Sequence, residues 1–105
     1  MSSNLELEIK TLIEENPVIV FSKSYCPYCK ATKSTFDQEG VKHKDLELDQ
    51  LDTGAAIQNT LAALTNQRTV PVIFIGGKFI GGNSDLQVLK KNSQLKQLLK
   101  DAGAA

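Results

Sequence analysis

The chain has no tryptophan, one histidine, three prolines and only two cysteines in its 105 residues. It has no excess of either charge: twelve basic and twelve acidic residues give a formal net charge of zero. No block of lysine and arginine interleaved with aromatics occurs, which argues against nucleic acid as a partner. No apolar run approaches the ~18 residues that suggest a membrane span, so no membrane association is expected. The opening residues, MSSNLELEIK, lack an apolar core of signal-peptide type. A reducing compartment is the expectation, and the cytoplasm is the default. Internal repeats, linkers and low-complexity segments are absent, and the length fits a single domain over 1–105. Two cysteines and one distant histidine cannot complete a closed tetrahedral zinc site, so no metal is expected. His43 itself reads as a solvated strand residue.

What is present is a globular composition, 41% hydrophobic and 23% charged. Such a chain can build a core without disulfide staples. The two cysteines, Cys26 and Cys29, lie three apart in SYCPYC, directly after the apolar run PVIVF. As a staple the pair is poor, because it closes a tiny loop and removes little unfolded-state entropy. In a reducing compartment a close pair reads as catalytic or metal-binding, and the missing metal ligands favour redox chemistry.

Periodicity predicts the elements. Ser3 and Glu6 read as a capping box for a first helix whose apolar face is Leu5, Ile9, Leu12 and Ile13. Pro17 marks its end. Residues 18–21, VIVF, read as a buried central strand. Residues 27–39 read as a helix stopped by Gly40. Residues 43–49 alternate, with Leu46 and Leu48 on one face of a less buried strand. Asp52 or Thr53 is placed to cap a helix striped by Ile57, Leu61 and Leu64. Strands at 72–75 and 78–80 flank the hairpin signal Gly76-Gly77. Ser84 reads as the cap of a last helical segment, which Asn92-Ser93 divides. The order α-β-α-β-α-β-β-α predicts an α/β fold, a mixed four-stranded sheet with helices on both faces.

In that frame Cys26 is the N-cap of the second helix and Pro27 its first residue, a position proline favours. Cys29 follows one turn later on the same side. Unpaired N–H groups at the helix start point toward the Cys26 sulfur and favour its thiolate, and Lys23 adds a nearby positive charge. A stabilised thiolate gains little in attack, since nucleophilicity falls with basicity. It gains more as a leaving group from a mixed disulfide.

At CPYC the sequence resembles the dithiol glutaredoxins of the thioredoxin superfamily, the fungal members in particular. The resemblance continues through IQNTLAALTNQRTVP, 57–71, and FIGGNSDLQ, 79–87, and covers nearly the whole chain. The thioredoxin pattern Trp-Cys-Gly-Pro-Cys is absent. The resemblance implies a thioredoxin fold and glutathione as co-substrate, with no permanently bound cofactor. It implies catalysis by Cys26 and Cys29 on glutathionylated or disulfide-containing proteins, with glutathione regenerated by glutathione reductase and the protein monomeric. It places Lys23, Gln58 and Arg68 around the glycine carboxylate of glutathione, with Gln67 a weaker candidate, and Tyr28 beside the bound sulfur. It implies a cis Val70-Pro71 bond after Thr69, with the Val70 backbone facing the ligand and Gly82 allowing close approach. Ser84 and Asp85 are then expected to hold the α-carboxylate and ammonium of the γ-glutamyl end. Val72 departs from the family, where many members have Asn or a basic residue, and is expected to alter contacts at the rim. Two rivals remain: a thioredoxin-like reductase served by a flavoprotein, and a glutathione-ligated iron–sulfur carrier, which Pro27 disfavours.

Overall fold

The computed structural model describes residues 2–105. The elements are α1 (Ser2–Glu15), β1 (Val18–Ser22), α2 (Pro27–Gln38), β2 (Lys44–Glu47), a 3₁₀ turn (Leu48–Gln50), α3 (Gly54–Thr65), β3 (Val72–Ile75), β4 (Lys78–Gly81), α4 (Asn83–Lys91) and α5 (Leu95–Asp101). The Ser3 side chain, and with it the expected Ser3–Glu6 capping box, lies outside the described residues.

The sheet order is β2-β1-β3-β4. β1 runs parallel to β2 and antiparallel to β3, and β3 runs antiparallel to β4. The Gly76-Gly77 turn has φ of 58° and 80°, the left-handed geometry of a tight hairpin. This is the expected mixed four-stranded sheet.

Alternation along the two central strands divides the core. Ile19 and Phe21 of β1, with Val72 and Phe74 of β3, face Ile9 and Ile13 of α1 and Ile57 and Leu61 of α3. Val18 and Val20, with Ile73 and Ile75, face Phe36 of α2, Leu86 of α4, and Leu95 and Leu99 of α5. Continuous apolar strands thus supply both faces at once, as a sheet covered on two sides requires. Each fully buried side chain of this kind contributes ~1.5–3 kcal/mol. Helix α2 ends as its sequence suggests. Gly40 takes φ 73°, its N–H donates to the Asp37 carbonyl, and the Val41 N–H donates to the Phe36 carbonyl at 3.3 Å. Phe36 and Val41 are both buried, the apolar contact that accompanies this helix stop.

Five expectations change. Leu48 leaves the strand, because the chain turns into the 3₁₀ helix there, yet it still reaches the core. Leu64 is 39% exposed, so the α3 stripe stops at Leu61. Thr53 takes the N-cap place of α3 but makes no side-chain cap bond. Val72 is only 1% exposed; it starts β3 inside the core and does not reach a rim. His43 is not solvated: its ring is 11% exposed, bonded to Asp37 at 2.7 Å and to Asp45 at 2.7 Å. The division at Asn92-Ser93 is present, with Ser93 at φ 62° between α4 and α5. Among the described residues, no helix is long and apolar enough to cross a membrane.

Candidate active site

The interior strand β1 ends at Ser22, and a short loop carries the chain into α2. The 3₁₀ turn clamps that loop. Asp49 accepts the Ser24 N–H at 3.0 Å and the Ser24 hydroxyl as well. These bonds, with a smaller contribution from the Lys23 charge, hold the Asp49 carboxyl below its ordinary value. The Cys26 N–H then donates to the Lys23 carbonyl at 3.1 Å.

Cys26 is the N-cap of α2, with extended backbone (φ −87°, ψ 117°) and Pro27 next in the first turn. Its Sγ accepts the N–H of Cys29 at 3.2 Å and lies 3.9 Å from the Val70 carbonyl. The two sulfurs differ sharply in surroundings. Cys26 is partly accessible and Cys29 is fully enclosed. Burial first, then the bond to Cys26 and its charge, push the Cys29 thiol up to about 11. The backbone of Lys23 and the Ser22 hydroxyl offset only part of this. At neutral pH Cys29 is therefore a thiol, and Cys26 is the sulfur that a substrate can reach.

Beside Cys26 lies a half-open groove of about 500 Å³. Tyr28 of α2 forms one side, and Gln67, Thr69, Val70 and Pro71 form the floor and far wall. The remaining side is Gly82, Asn83, Ser84 and Asp85 at the start of α4. The Val70-Pro71 bond is cis, as the resemblance implied. Of the residues expected at the site, Tyr28, Thr69, Val70, Pro71, Gly82, Ser84 and Asp85 meet in this groove. Lys23, Gln58 and Arg68 are not among its lining residues. Gln58 spends its amide on the Arg68 carbonyl at 2.8 Å, so it braces the loop. Gln67 lines the groove and donates to the carbonyls of Thr69 (3.2 Å) and Pro71 (2.9 Å).

The α4 start corrects the expected cap. Gly82, not Ser84, is the N-cap, which places Asn83, Ser84 and Asp85 in the first turn. Asp85 Oδ2 accepts the Gly82 N–H at 2.9 Å. Gly81 makes room for this: its φ is +118°, and a Cβ there would sit 2.2 Å from Asp85 Oδ2. The first-turn N–H groups of α4 find no bond from a Gly82 side chain, since glycine has none. Cys26 is not itself among the groove's lining residues; its sulfur lies 3.9 Å from the carbonyl of Val70, which is.

Sequence reasoning missed several residues. Asn83 accepts from the Thr32 hydroxyl at 2.9 Å and ties α4 to α2. Asp49 anchors the Cys26 loop. Ser22, Lys33 and Glu47 form a polar set that joins the ends of β1 and β2 to α2. For Asn83 a signal existed: an acid three residues after Gly82 is half of a capping box, which sets the helix start earlier. Among the described residues no group of three or more metal-ligating side chains occurs.

The Glutaredoxin family model matches residues 18–80. A glutaredoxin of Ricinus communis is 50% identical over 95 residues, covering 90% of this chain and 93% of that one. Glutaredoxin-2 of Schizosaccharomyces pombe is 43% identical over 101 residues, covering 96% and 92%. Among solved structures, a crystal structure of a buckwheat glutaredoxin–glutathione complex is similar with a TM-score of 0.96 at 42% identity, covering 98% of this chain and 94% of that one.

Proposed function

The chain belongs to the glutaredoxin family, and from that membership we propose how its groove and two thiols work. It is a glutathione-dependent thiol–disulfide oxidoreductase with the thioredoxin fold. Cys26 attacks the glutathione sulfur of a glutathionylated protein, and the protein thiol leaves. A second glutathione then resolves the Cys26 mixed disulfide. Alternatively, Cys29 closes the Cys26–Cys29 disulfide, the route for some protein disulfides. The observation that carries this reading is the contrast between an accessible sulfur at a helix start and an enclosed one a turn later.

For glutathione in the groove, the Val70 backbone pairs with the peptide, Tyr28 flanks the sulfur, and Thr69, Pro71 and Gly82 shape the walls. The α4 start at Ser84 receives the γ-glutamyl carboxylate, and Asp85 receives the ammonium, as an anion site beside a carboxylate allows. Lys23, Gln58 and Arg68 are assigned to the rim near the glycine carboxylate, with Gln58 acting through the Arg68 backbone. We further propose that residues 1–105 act as one monomeric domain in a reducing compartment, the cytosol foremost. Some relatives are named chloroplastic. Glutathione reductase regenerates the glutathione consumed.

The test is reduction of a small glutathione mixed disulfide, coupled either to glutathione with its reductase or to a flavoprotein thioredoxin reductase. Turnover is expected in the first arm and little in the second. Turnover in the second arm alone makes the protein a thioredoxin-like reductase and overturns the reading.

A further inference from the structure

The two helices that frame the groove are joined by a polar seam that the reaction at Cys26 does not use. Tyr28 in the first turn of α2 lines one side of the groove, and the start of α4, from Gly82 to Asp85, lines another. Among the described residues three polar side chains are buried, and two of them, Thr32 and Thr35, lie on α2. Three positions apart, they share a face of the helix. Asn83 and Gln87, four positions apart on α4, meet them there. The Thr32 hydroxyl donates to Asn83 Oδ1 at 2.9 Å. Gln87 Nε2 donates to Thr35 Oγ1 at 2.9 Å and to the same Asn83 oxygen at 3.2 Å.

The bond from Thr32 departs from habit. A threonine inside a helix can return its hydroxyl to the carbonyl four residues back. Thr35, Thr60 and Thr65 all do so, to Ala31 at 3.1 Å, Ala56 at 2.8 Å and Leu61 at 2.7 Å. Thr32, fully buried, instead sends its proton across to the neighbouring helix. Apolar packing already joins the two helices, since Phe36 of α2 and Leu86 of α4 share one core. Apolar contact is non-directional and lets helices slide, whereas satisfied hydrogen bonds fix one register. The place of Asn83 shows where a fixed register is needed. It is the first residue of α4 and follows Gly81-Gly82, a pair with no side chain to hold the turn in place. The bond from Gly82 to Asp85 ties that turn to α4 itself. The Asn83 side chain ties it to the helix that carries the reactive sulfur.

We propose that Thr32 and Gln87 are positioning residues for glutathione that act through Asn83, fixing how far the α4 start stands from Cys26 and so selecting thiols that carry a γ-glutamyl group. The proposal rests on the placement of the γ-glutamyl end at Ser84 and Asp85 and deepens it. Two bonds on one Asn83 oxygen hold the first turn of α4 at the span between a sulfur on Cys26 and the γ-glutamyl carboxylate and ammonium. When either bond is lost, the turn slides on its glycine pair and those contacts lengthen. Attack by Cys26 is untouched, because its loop is held separately by Asp49 and by the Lys23 carbonyl.

Mixed disulfides of 2-nitro-5-thiobenzoate with γ-glutamylcysteine and with cysteinylglycine test the seam. Cys26 attacks the peptide sulfur and the Cys26–peptide S–S bond forms. The bond to the aromatic sulfur breaks, and the coloured thiolate leaves with the electron pair. The ratio of the two second-order constants, read by stopped flow, measures the preference for the γ-glutamyl group. The symmetric disulfide 5,5′-dithiobis(2-nitrobenzoate) carries no peptide and reports Cys26 reactivity alone. Thr32→Val keeps the shape, removes the hydroxyl and lies outside the groove lining. It is expected to lower the preference by about 3- to 10-fold, with the symmetric disulfide reacting within about 2-fold of wild type. Thr32→Ser keeps the hydroxyl and should retain the preference. Gln87→Met removes the other bond at a half-buried position and should lower it too. Wild-type preference in folded Thr32→Val, or in Gln87→Met, overturns the seam. So does an equal loss on all three disulfides, or a loss in Thr32→Ser as large as in Thr32→Val, since either marks a merely structural role. A wild-type protein with no preference overturns the placement of the γ-glutamyl end, and the seam's role with it. A wild-type preference that the variants keep overturns the seam alone.

Discussion

The two helices whose first turns face the groove divide one capping motif between them. At α2 the N-cap side chain does the bonding: Cys26 Sγ accepts the N–H of Cys29, three residues on. At α4 the third residue does it: the Asp85 carboxylate accepts the N–H of the N-cap, Gly82. A full capping box has both bonds on one helix. Splitting them leaves each helix start with a different vacancy. The α2 start spends its backbone donor on a sulfur that belongs to the chain. The α4 start has no N-cap side chain, so its donors receive no such bond, and a carboxylate sits beside them. On the proposed reading one helix start serves chemistry and the other recognition, through the same physics of unpaired N–H groups.

The largest effect should come from removing the sulfur at α2. Cys26→Ser keeps a favoured N-cap residue, so stability should change by no more than about 0.5 kcal/mol. Deglutathionylation should fall by about 1000-fold or more, since the nucleophile is gone. Cys29→Ser should retain that activity within a few-fold, because a second glutathione can resolve the mixed disulfide. Steady-state rates with a small glutathione mixed disulfide, alongside denaturant midpoints, check both. A folded but inactive Cys29→Ser protein contradicts the division of labour between the sulfurs.

Next in size is the charge at α4. Asp85→Ala should lower the apparent second-order constant for glutathione by about 10- to 150-fold, the equivalent of a ~1.5–3 kcal/mol charge-assisted contact. Its cost to stability should be smaller, about 0.5–1 kcal/mol, for one cap bond and a first-turn acid. Unchanged kinetics with a small loss of stability reduces Asp85 to a helix-end residue.

How much of this could be read from residues alone depends on whether the cause was local. Pro27 after Cys26, the Gly76-Gly77 turn and the Gly40 stop each act within a few residues, and each was legible. The apolar runs of β1 and β3 announced a sheet buried on both sides. What could not be read depends on how the chain turns between elements. His43 looked solvated although its partners are near in sequence, because only the folded turn from α2 into β2 brings Asp37 and Asp45 onto its ring. Ser22 and Glu47 are 25 residues apart and meet only through the strand register. The start of α4 was misplaced for a different reason. Ser84 is a better N-cap residue than Gly82, so propensity pointed two residues too late, and the short reach of Asp85 back to Gly82 decided otherwise. Assigning Lys23, Gln58 and Arg68 to the site came from resemblance, and the groove itself does not include them.

The vacancy at α4 can be filled on purpose. Gly82 has an ordinary extended backbone (φ −102°, ψ −167°), which any residue can adopt. A Cβ there would lie 3.6 Å from the Pro71 carbonyl and 3.7 Å from Gln67 Nε2, ordinary contact distances. Gly82→Ser should therefore complete the capping box and raise stability by a few tenths of a kcal/mol. The new hydroxyl would compete with the ligand carboxylate for the same N–H groups, lowering the glutathione constant by about 2- to 5-fold. Higher stability with unchanged kinetics would mean that the carboxylate binds elsewhere.

The smallest expected effect tests whether the α2 start acts independently of the other end of its helix. There Asp37 sits near the negative end of the helix dipole, an unfavourable place for an acid, and His43 reaches it. Burial by itself pushes the His43 ring down. Its bonds to Asp37 and Asp45, and the charges of both, more than reverse this and raise it above its ordinary value. The raised value makes the protonated ring the stabilising form. Its contribution is complete below the unfolded value of ~6.5 and is lost as pH rises through the folded value. Because Asp37 is 71% exposed, solvent screens that pair, and the whole effect should be about 1 kcal/mol or less. Denaturant midpoints of wild type and His43→Gln should differ most near pH 6 and converge as pH rises above the folded value. Over the same range, the pH dependence of Cys26 alkylation should be the same in both proteins. If His43→Gln shifts that alkylation profile, the two ends of α2 are coupled, and the sulfur's environment is not set by its own helix start alone.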